Sequence, residues 1–145
     1  MAAERIPSMK SVMTPFPWAV QPETPLAEAR RLMREHAVHH LPVIADDHHP
    51  TGVLSDRDVR RLLESRFGLS GDDDLLVSDA MATDVYAVDL HTPLDHVLES
   101  MADRHLGCAL VTREHRLAGI LTHQDICRLF AEHLGRLRPN GDDVA

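Results

Sequence analysis

Lysine is almost missing from this chain: Lys10 is the single one among 145 residues. No lysine stands in a glycine-rich P-loop, and Ser55 lacks the G-x-S-x-G surroundings of an esterase nucleophile. No nucleophile-plus-base arrangement emerges, and no residues stand out that would activate a phosphate for hydrolysis. Cysteine is scarce too. Cys108 and Cys127 lie in apolar stretches without a C-x-x-C spacing, which excludes a disulfide framework and predicts buried free thiols in a reducing compartment. No apolar run approaches the roughly 18 residues of a membrane helix, and Glu4, Arg5 and Pro7 interrupt the start of the chain where a signal peptide would be apolar. A cytoplasmic protein without membrane contact is therefore expected. A basic face is absent as well. The net charge is −8, and Arg30, Arg31 and Arg34 alternate with acids as on a solvated helix, so a nucleic acid polymer is not an expected partner.

What is present is ordinary in bulk: 43% hydrophobic and 26% charged residues, enough for one domain or two closely packed halves. A chain of this length buries roughly two-thirds of its unfolded surface, so no metal or disulfide staple is required.

The informative feature is an internal repeat. With an offset of 68, Met13 falls on Met81, Val20 on Val88, Thr24-Pro25-Leu26 on Thr92-Pro93-Leu94, Met33 on Met101 and Val43 on Val111. After one deleted residue the offset is 67, and Gly52-Val53-Leu54-Ser55 falls on Gly119-Ile120-Leu121-Thr122, with Asp58 on Asp125. Each copy reads as a short extended piece (Ala19-Val20; Tyr86 to Val88), a helix opened by Thr-Pro, a hairpin and a second amphipathic helix. The Thr is expected to cap the helix with Pro in its first position, and Asp95 to complete a capping box with Thr92. The predicted organisation is a first repeat over 8–67, a linker over 68–79 containing Gly68, Gly71 and three aspartates, a second repeat over 80–136 and a flexible C-terminal tail over 137–145. The fold class is α+β: two pseudo-symmetric β-α-β-β-α repeats packed through their sheets, with clefts where the halves meet.

The run from Met13-Thr14 through Val38-His39-His40-Leu41-Pro42-Val43 to Gly52-Val53-Leu54-Ser55-Asp56-Arg57-Asp58 resembles a cystathionine-β-synthase (CBS) domain. So does its repeat, which ends Gly119-Ile120-Leu121-Thr122-His123-Gln124-Asp125. The resemblance covers residues 12 to about 134. It implies a tandem pair that forms a homodimer and binds AMP, ADP, ATP or S-adenosylmethionine between its halves. It further implies that Ser55 and Thr122 contact phosphate and that Asp58 and Asp125 contact ribose. The chemistry suits this: a carboxylate accepts from both ribose hydroxyls, and a hydroxyl at a helix start beside free N–H groups favours phosphate. The same Ser-x-x-Asp spacing is also that of a plain helix cap.

The two clefts are unequal by sequence. The first copy offers Arg57, with His39 and His40 at the strand start, and is expected to hold phosphate better. The second has Gly107-Cys108 and His123-Gln124 at these places. Thr14, Val85 and Tyr86 are expected from the opposite half, with Val38 and Leu106 against the adenine. The eleven histidines read as surface residues rather than a metal site, with pH-responsive binding as a secondary possibility. Trp18 and Phe16, beside Pro15 and Pro17, read as packing or dimer contacts. The function expected is a regulatory sensor of an adenine nucleotide with no required cofactor, no catalytic residue and a protein target that the sequence does not name. A constitutive dimerisation scaffold with vestigial clefts and an enzyme such as a nucleotide hydrolase are the alternatives.

Overall fold

The computed structural model describes residues 5–65 and 74–138. In the first repeat these form helix α1 (Met9–Val12), strand β1 (Thr14–Pro15), helix α2 (Leu26–His36), strands β2 (His40–Ile44) and β3 (Pro50–Ser55), and helix α3 (Asp56–Ser65). In the second they form α4 (Val77–Ala80), β4 (Ala87–Asp89), α5 (Leu94–Asp103), β5 (Cys108–Arg113), β6 (Arg116–Thr122) and α6 (His123–Leu137). No described helix is long and apolar enough to cross a membrane. Both expected hairpins form, pairing His40 with Ser55 and Cys108 with Thr122.

The helix starts differ from the expectation at one point. Pro25 and Pro93 sit at the N-cap, with ψ of 135° and 132°, and no side chain caps either helix. Thr24 Oγ1 accepts from the Gln21 amide instead, and the expected Thr92–Asp95 capping box is absent. Proline in the cap position leaves its neighbour's N–H to be satisfied from elsewhere. For α2 the acceptor is tertiary: Leu26 N–H donates to Leu75 O at 2.9 Å.

That bond belongs to a wider exchange between the repeats. β1, from the start of the chain, pairs antiparallel with β6 of the second repeat, Thr14 opposite Ile120 and Pro15 opposite Gly119. The matching residue of the second repeat, Ala82, bridges Val53 of β3 in the first. One sheet thus runs β1-β6-β5-β4. The other is β2-β3, flanked by a parallel bridge from Val20 to Val43 and by Ala82. The short helices follow their strands. Met9 and Met13 are buried with Leu94, Val97, Met101 and Leu121 of the second repeat. Leu75 and Val77 are buried with Leu26, Leu41, Leu54 and Val59 of the first. The second half of the 68–79 segment is therefore core structure, not spacer. Its glycines, and residues 139–145 of the expected tail, lie outside the described residues, and α6 already occupies Leu137.

Close approach of the exchanged strands explains the one glycine in each β3 and β6. A β-carbon on Gly52 would lie 2.8 Å from Ala82 O; one on Gly119 would lie 2.5 Å from Met13 Sδ and 3.0 Å from Thr14 O. Gly52 faces rigid backbone, whereas Gly119 first meets a flexible thioether. Gly52→Ala is expected to destabilise the protein by about 1–3 kcal/mol, and Gly119→Ala by less. Urea midpoints measure both, and an unchanged midpoint for Gly52→Ala would contradict so tight a strand contact.

Candidate functional site

The β6-to-α6 junction builds a tightly bonded polar group. Thr122 is the N-cap of α6 and accepts from the Asp125 amide through Oγ1. Asp125 Oδ2 accepts from the Thr122 amide at 2.9 Å and from the Thr122 hydroxyl at 3.0 Å. Its other oxygen, Oδ1, accepts from the Thr14 hydroxyl on the exchanged strand at 2.9 Å, with Arg128 Nη1 3.8 Å away. Asp125 is 5% exposed and is the one buried charged residue among those described. Such a carboxylate survives burial because each oxygen is hydrogen-bonded at a helix N-terminus.

A cavity of about 510 Å³ opens above this group. Its walls are Thr14 to Trp18, His36 to His40, Gly107 and Ile120, with Thr122, His123, Gln124, Asp125 and Arg128 from β6 and α6. Of the residues singled out from the sequence, Thr14, Val38, His39, His40, Thr122, His123 and Asp125 share this one space. His39 and His40, expected with Ser55 and Asp58, line the cavity of the opposite repeat, because β2 begins at the seam between the halves. His40 Nε2 would lie 3.1 Å from a β-carbon on Gly107. His123 Nε2 donates to Leu106 O at 2.9 Å, and His39 Nδ1 lies 3.0 Å from Asp56 Oδ2. Burial lowers the pKa of His40; the charges of His39 and His123 lower it further, opposed by Asp56 and Asp58. Burial pushes Asp56 up, but the hydrogen bond and charge of His39 outweigh it and leave the carboxyl below its usual range. Among the described residues no three His, Cys, Asp or Glu side chains converge as a metal ion requires.

Ser55, Arg57 and Asp58 stand apart from that cavity. Ser55 and Asp58 close a reciprocal cap: Ser55 N–H donates to Asp58 Oδ2 at 3.1 Å, and Asp58 N–H to Ser55 Oγ at 3.0 Å. Asp58 is half-buried and Arg57 exposed. Cys108 occupies the repeat position of His40, and burial together with the Asp58 charge pushes its thiol up to about 11. Tyr86 packs against the second core with the Arg104 guanidinium 4.8 Å from its ring centre. The same positions of the first repeat are Trp18 and His36, stacked at 3.8 Å on the cavity wall. Val85 and Leu106 are half-buried, and neither lines the large cavity.

Arg128, Trp18 and His36 are among the cavity residues that sequence reasoning did not assign to the site. Arg128 lies three residues after Asp125, hence on the same helix face, and that spacing could have found it. Trp18 left no such signal, since aromatic residues beside prolines are common packing elements.

Comparison with known proteins places these features in a family. The CBS domain model matches residues 9–65 and 77–132. Hypoxic response protein 1 of Mycobacterium tuberculosis is 33% identical over 109 residues, which is 74% of each chain. Among solved structures, CBSX2 in complex with AMP is 25% identical with a TM-score of 0.70, over 88% of this chain and 98% of that one. The CBS domain pair of protein MJ0100, in complex with 5′-methylthioadenosine and S-adenosyl-L-methionine, has the same fold at 22% identity and a TM-score of 0.79, over 89% and 99%. Both of these solved pairs hold adenosine-containing ligands.

The contrast between the two thiols is directly measurable. Cys127, expected to be buried, is exposed on α6, because its position falls on the outer face of that helix, whereas at about pH 8 the Cys108 thiol with a pKa of about 11 is only about 0.1% thiolate. Cys127 is expected to react with a maleimide or disulfide reagent at least about 100-fold faster than Cys108. Equal rates, read by peptide mass spectrometry, would contradict the burial of Cys108.

Proposed function

The chain belongs to the CBS domain family, as a tandem pair, and from that membership and the cavity we propose that it is a regulatory module binding an adenine nucleotide between its repeats. The observation that carries this is the buried Asp125 carboxylate at the floor of a 510 Å³ cavity, a volume within the range of small-ligand sites. In this reading Asp125 accepts from the ribose hydroxyls. The start of α6 with Thr122, together with Arg128, His39, His40 and His123, meets the phosphate; Val38, Trp18 and the Thr14–Phe16 backbone enclose the base. The Asp125 cavity is the stronger phosphate site, since both histidines expected of the other cleft line it. In the same reading the duplicate place beside Ser55 and Asp58, with Cys108 at the position of His40, suits a less charged ligand such as S-adenosylmethionine. The role is regulatory, carries no catalytic residue, and acts through a change in the angle between repeats that a protein target reads. Such a change is limited by the ligand's difference in affinity between the two arrangements.

One observation favours a second reading. Both Asp58 and Asp125 already close helix caps, so the carboxylates have a structural role without any ligand. A constitutive scaffold with empty clefts would keep them for that reason.

Trp18 separates the two, being the single tryptophan and a wall of the cavity. Titration with AMP, ADP, ATP or S-adenosylmethionine is expected to change its fluorescence saturably and to raise Tm. Asp125→Asn, which keeps a side-chain oxygen for the cap, should weaken nucleotide binding about 10- to 100-fold while the fold persists. No saturable signal and no thermal shift with any of the four ligands would leave the scaffold.

The sign of the pH dependence follows from His40. Held below the ordinary imidazole value, it is neutral at pH 7, and a bound phosphate favours its protonated form. Nucleotide affinity is therefore expected to rise from about pH 8 to about pH 6, with proton uptake. His40→Gln should flatten the dependence, and an unchanged slope would remove His40 from the phosphate site.

A further inference from the structure

The strap that leads from β1 to Val20 holds a bulky residue in an unusual backbone state. Phe16 stands at φ 48°, in a region that large L side chains rarely occupy. It also precedes Pro17, and the residue before a proline favours extended backbone. The other described non-glycine residues with positive φ have an evident local reason. Ala37 and His105 follow the ends of α2 and α5, and His48, Glu114 and His115 turn the two hairpins. Phe16 lies in neither setting. Its duplicate in the second repeat, Asp84, has no positive φ, so the plan shared by the repeats does not impose the conformation.

Packing does not offset this cost. Phe16 is 92% exposed, the most exposed large apolar side chain among the described residues. A strained residue whose ring packs on nothing in its own fold points to a contact with something else. Its position says what. The Phe16 N–H donates to Ala118 O at 3.2 Å, which anchors the residue to β6, and Phe16 is a wall of the 510 Å³ cavity above Asp125. Pro15 and Pro17 fix their own φ on either side, so the strap has few torsions to lose when the ring makes a contact. Trp18, two residues on, already has one ring face covered by His36. We propose that the Phe16 ring is a ligand contact: the left-handed backbone holds it at the open side of the cavity, where it stacks on the flat base of the nucleotide whose ribose Asp125 holds. This rests on the reading of the cavity as an adenine-nucleotide site and adds a side chain to it. The second repeat has Asp84 in this place, and a carboxylate offers a base no stacking face, so the aromatic contact is one-sided.

One test needs no ligand. Glycine adopts positive φ freely and alanine does not, so Phe16→Gly is expected to unfold at a higher urea concentration than Phe16→Ala, the reverse of the usual order. The usual order would remove the left-handed backbone and the proposal with it. The second test is calorimetry with AMP and ATP. Phe16→Leu keeps the bulk without the aromatic face and is expected to weaken binding about 10-fold, whereas Phe16→Tyr stays within about 3-fold of the unmodified chain. Tm shows that each variant is folded. Leucine as good as phenylalanine, or tyrosine as poor as leucine, would overturn the stacking contact and leave the nucleotide site standing. No heat from the unmodified chain with either nucleotide would remove the nucleotide reading of the cavity, and this contact with it.

Discussion

The pairing of two residues, Thr14 and Pro15, with the far repeat is the constraint on which most of this structure depends. It completes the second sheet, brings Met9 and Met13 into the second core, and carries the Thr14 hydroxyl to Asp125. A glycine opposite the strand permits the approach. The buried carboxylate is consequently held by its own helix cap and by a residue more than a hundred positions earlier. The geometry of the cavity floor and the docking of the halves are one arrangement, and neither repeat alone supplies it.

Duplication gave both repeats the same cap, and the surroundings of that cap then diverged. Asp125 is buried, bonded through both oxygens and faced across the seam by histidines. Asp58 is half-buried and sits near a thiol whose ionisation it opposes. The stacked aromatic-and-basic pair persists in both halves, as Trp18 on His36 and as Tyr86 beneath Arg104, with one solvent-facing and the other partly drawn into a core. Identical backbone frames thus present a charged, wet wall in one place and a more neutral one in the other.

The repeat, the hairpins and the helix faces were legible in the sequence because each rests on local periodicity, and the second copy checks the first. Pairing partners across the seam were not. His39 precedes β2 and His40 opens it, and nothing local says that a strand start at a domain boundary looks toward the neighbouring half. The exchange of α1 and α4 was hidden for the same reason: Met9, Met13, Leu75 and Val77 show which residues are apolar but not whose core they fill. At Thr24-Pro25 the local rule gave a side-chain cap, and a tertiary acceptor, Leu75 O, took its place. Arg128 was within reach of helical spacing from Asp125, whereas Arg57 drew notice only because it stands beside Asp58.

The exchange also changes what counts as a part. Among the described residues, one half is built from 20–65 and 74–82, whereas the other is assembled from the chain before Trp18 and the chain after Val85. A molecule written as two copies in series is thereby built as one unit inserted into a loop of another. Its natural cutting points fall near 18 and 84, not at the repeat boundary, and any rearrangement of gene segments that respects the written repeats would sever both cores.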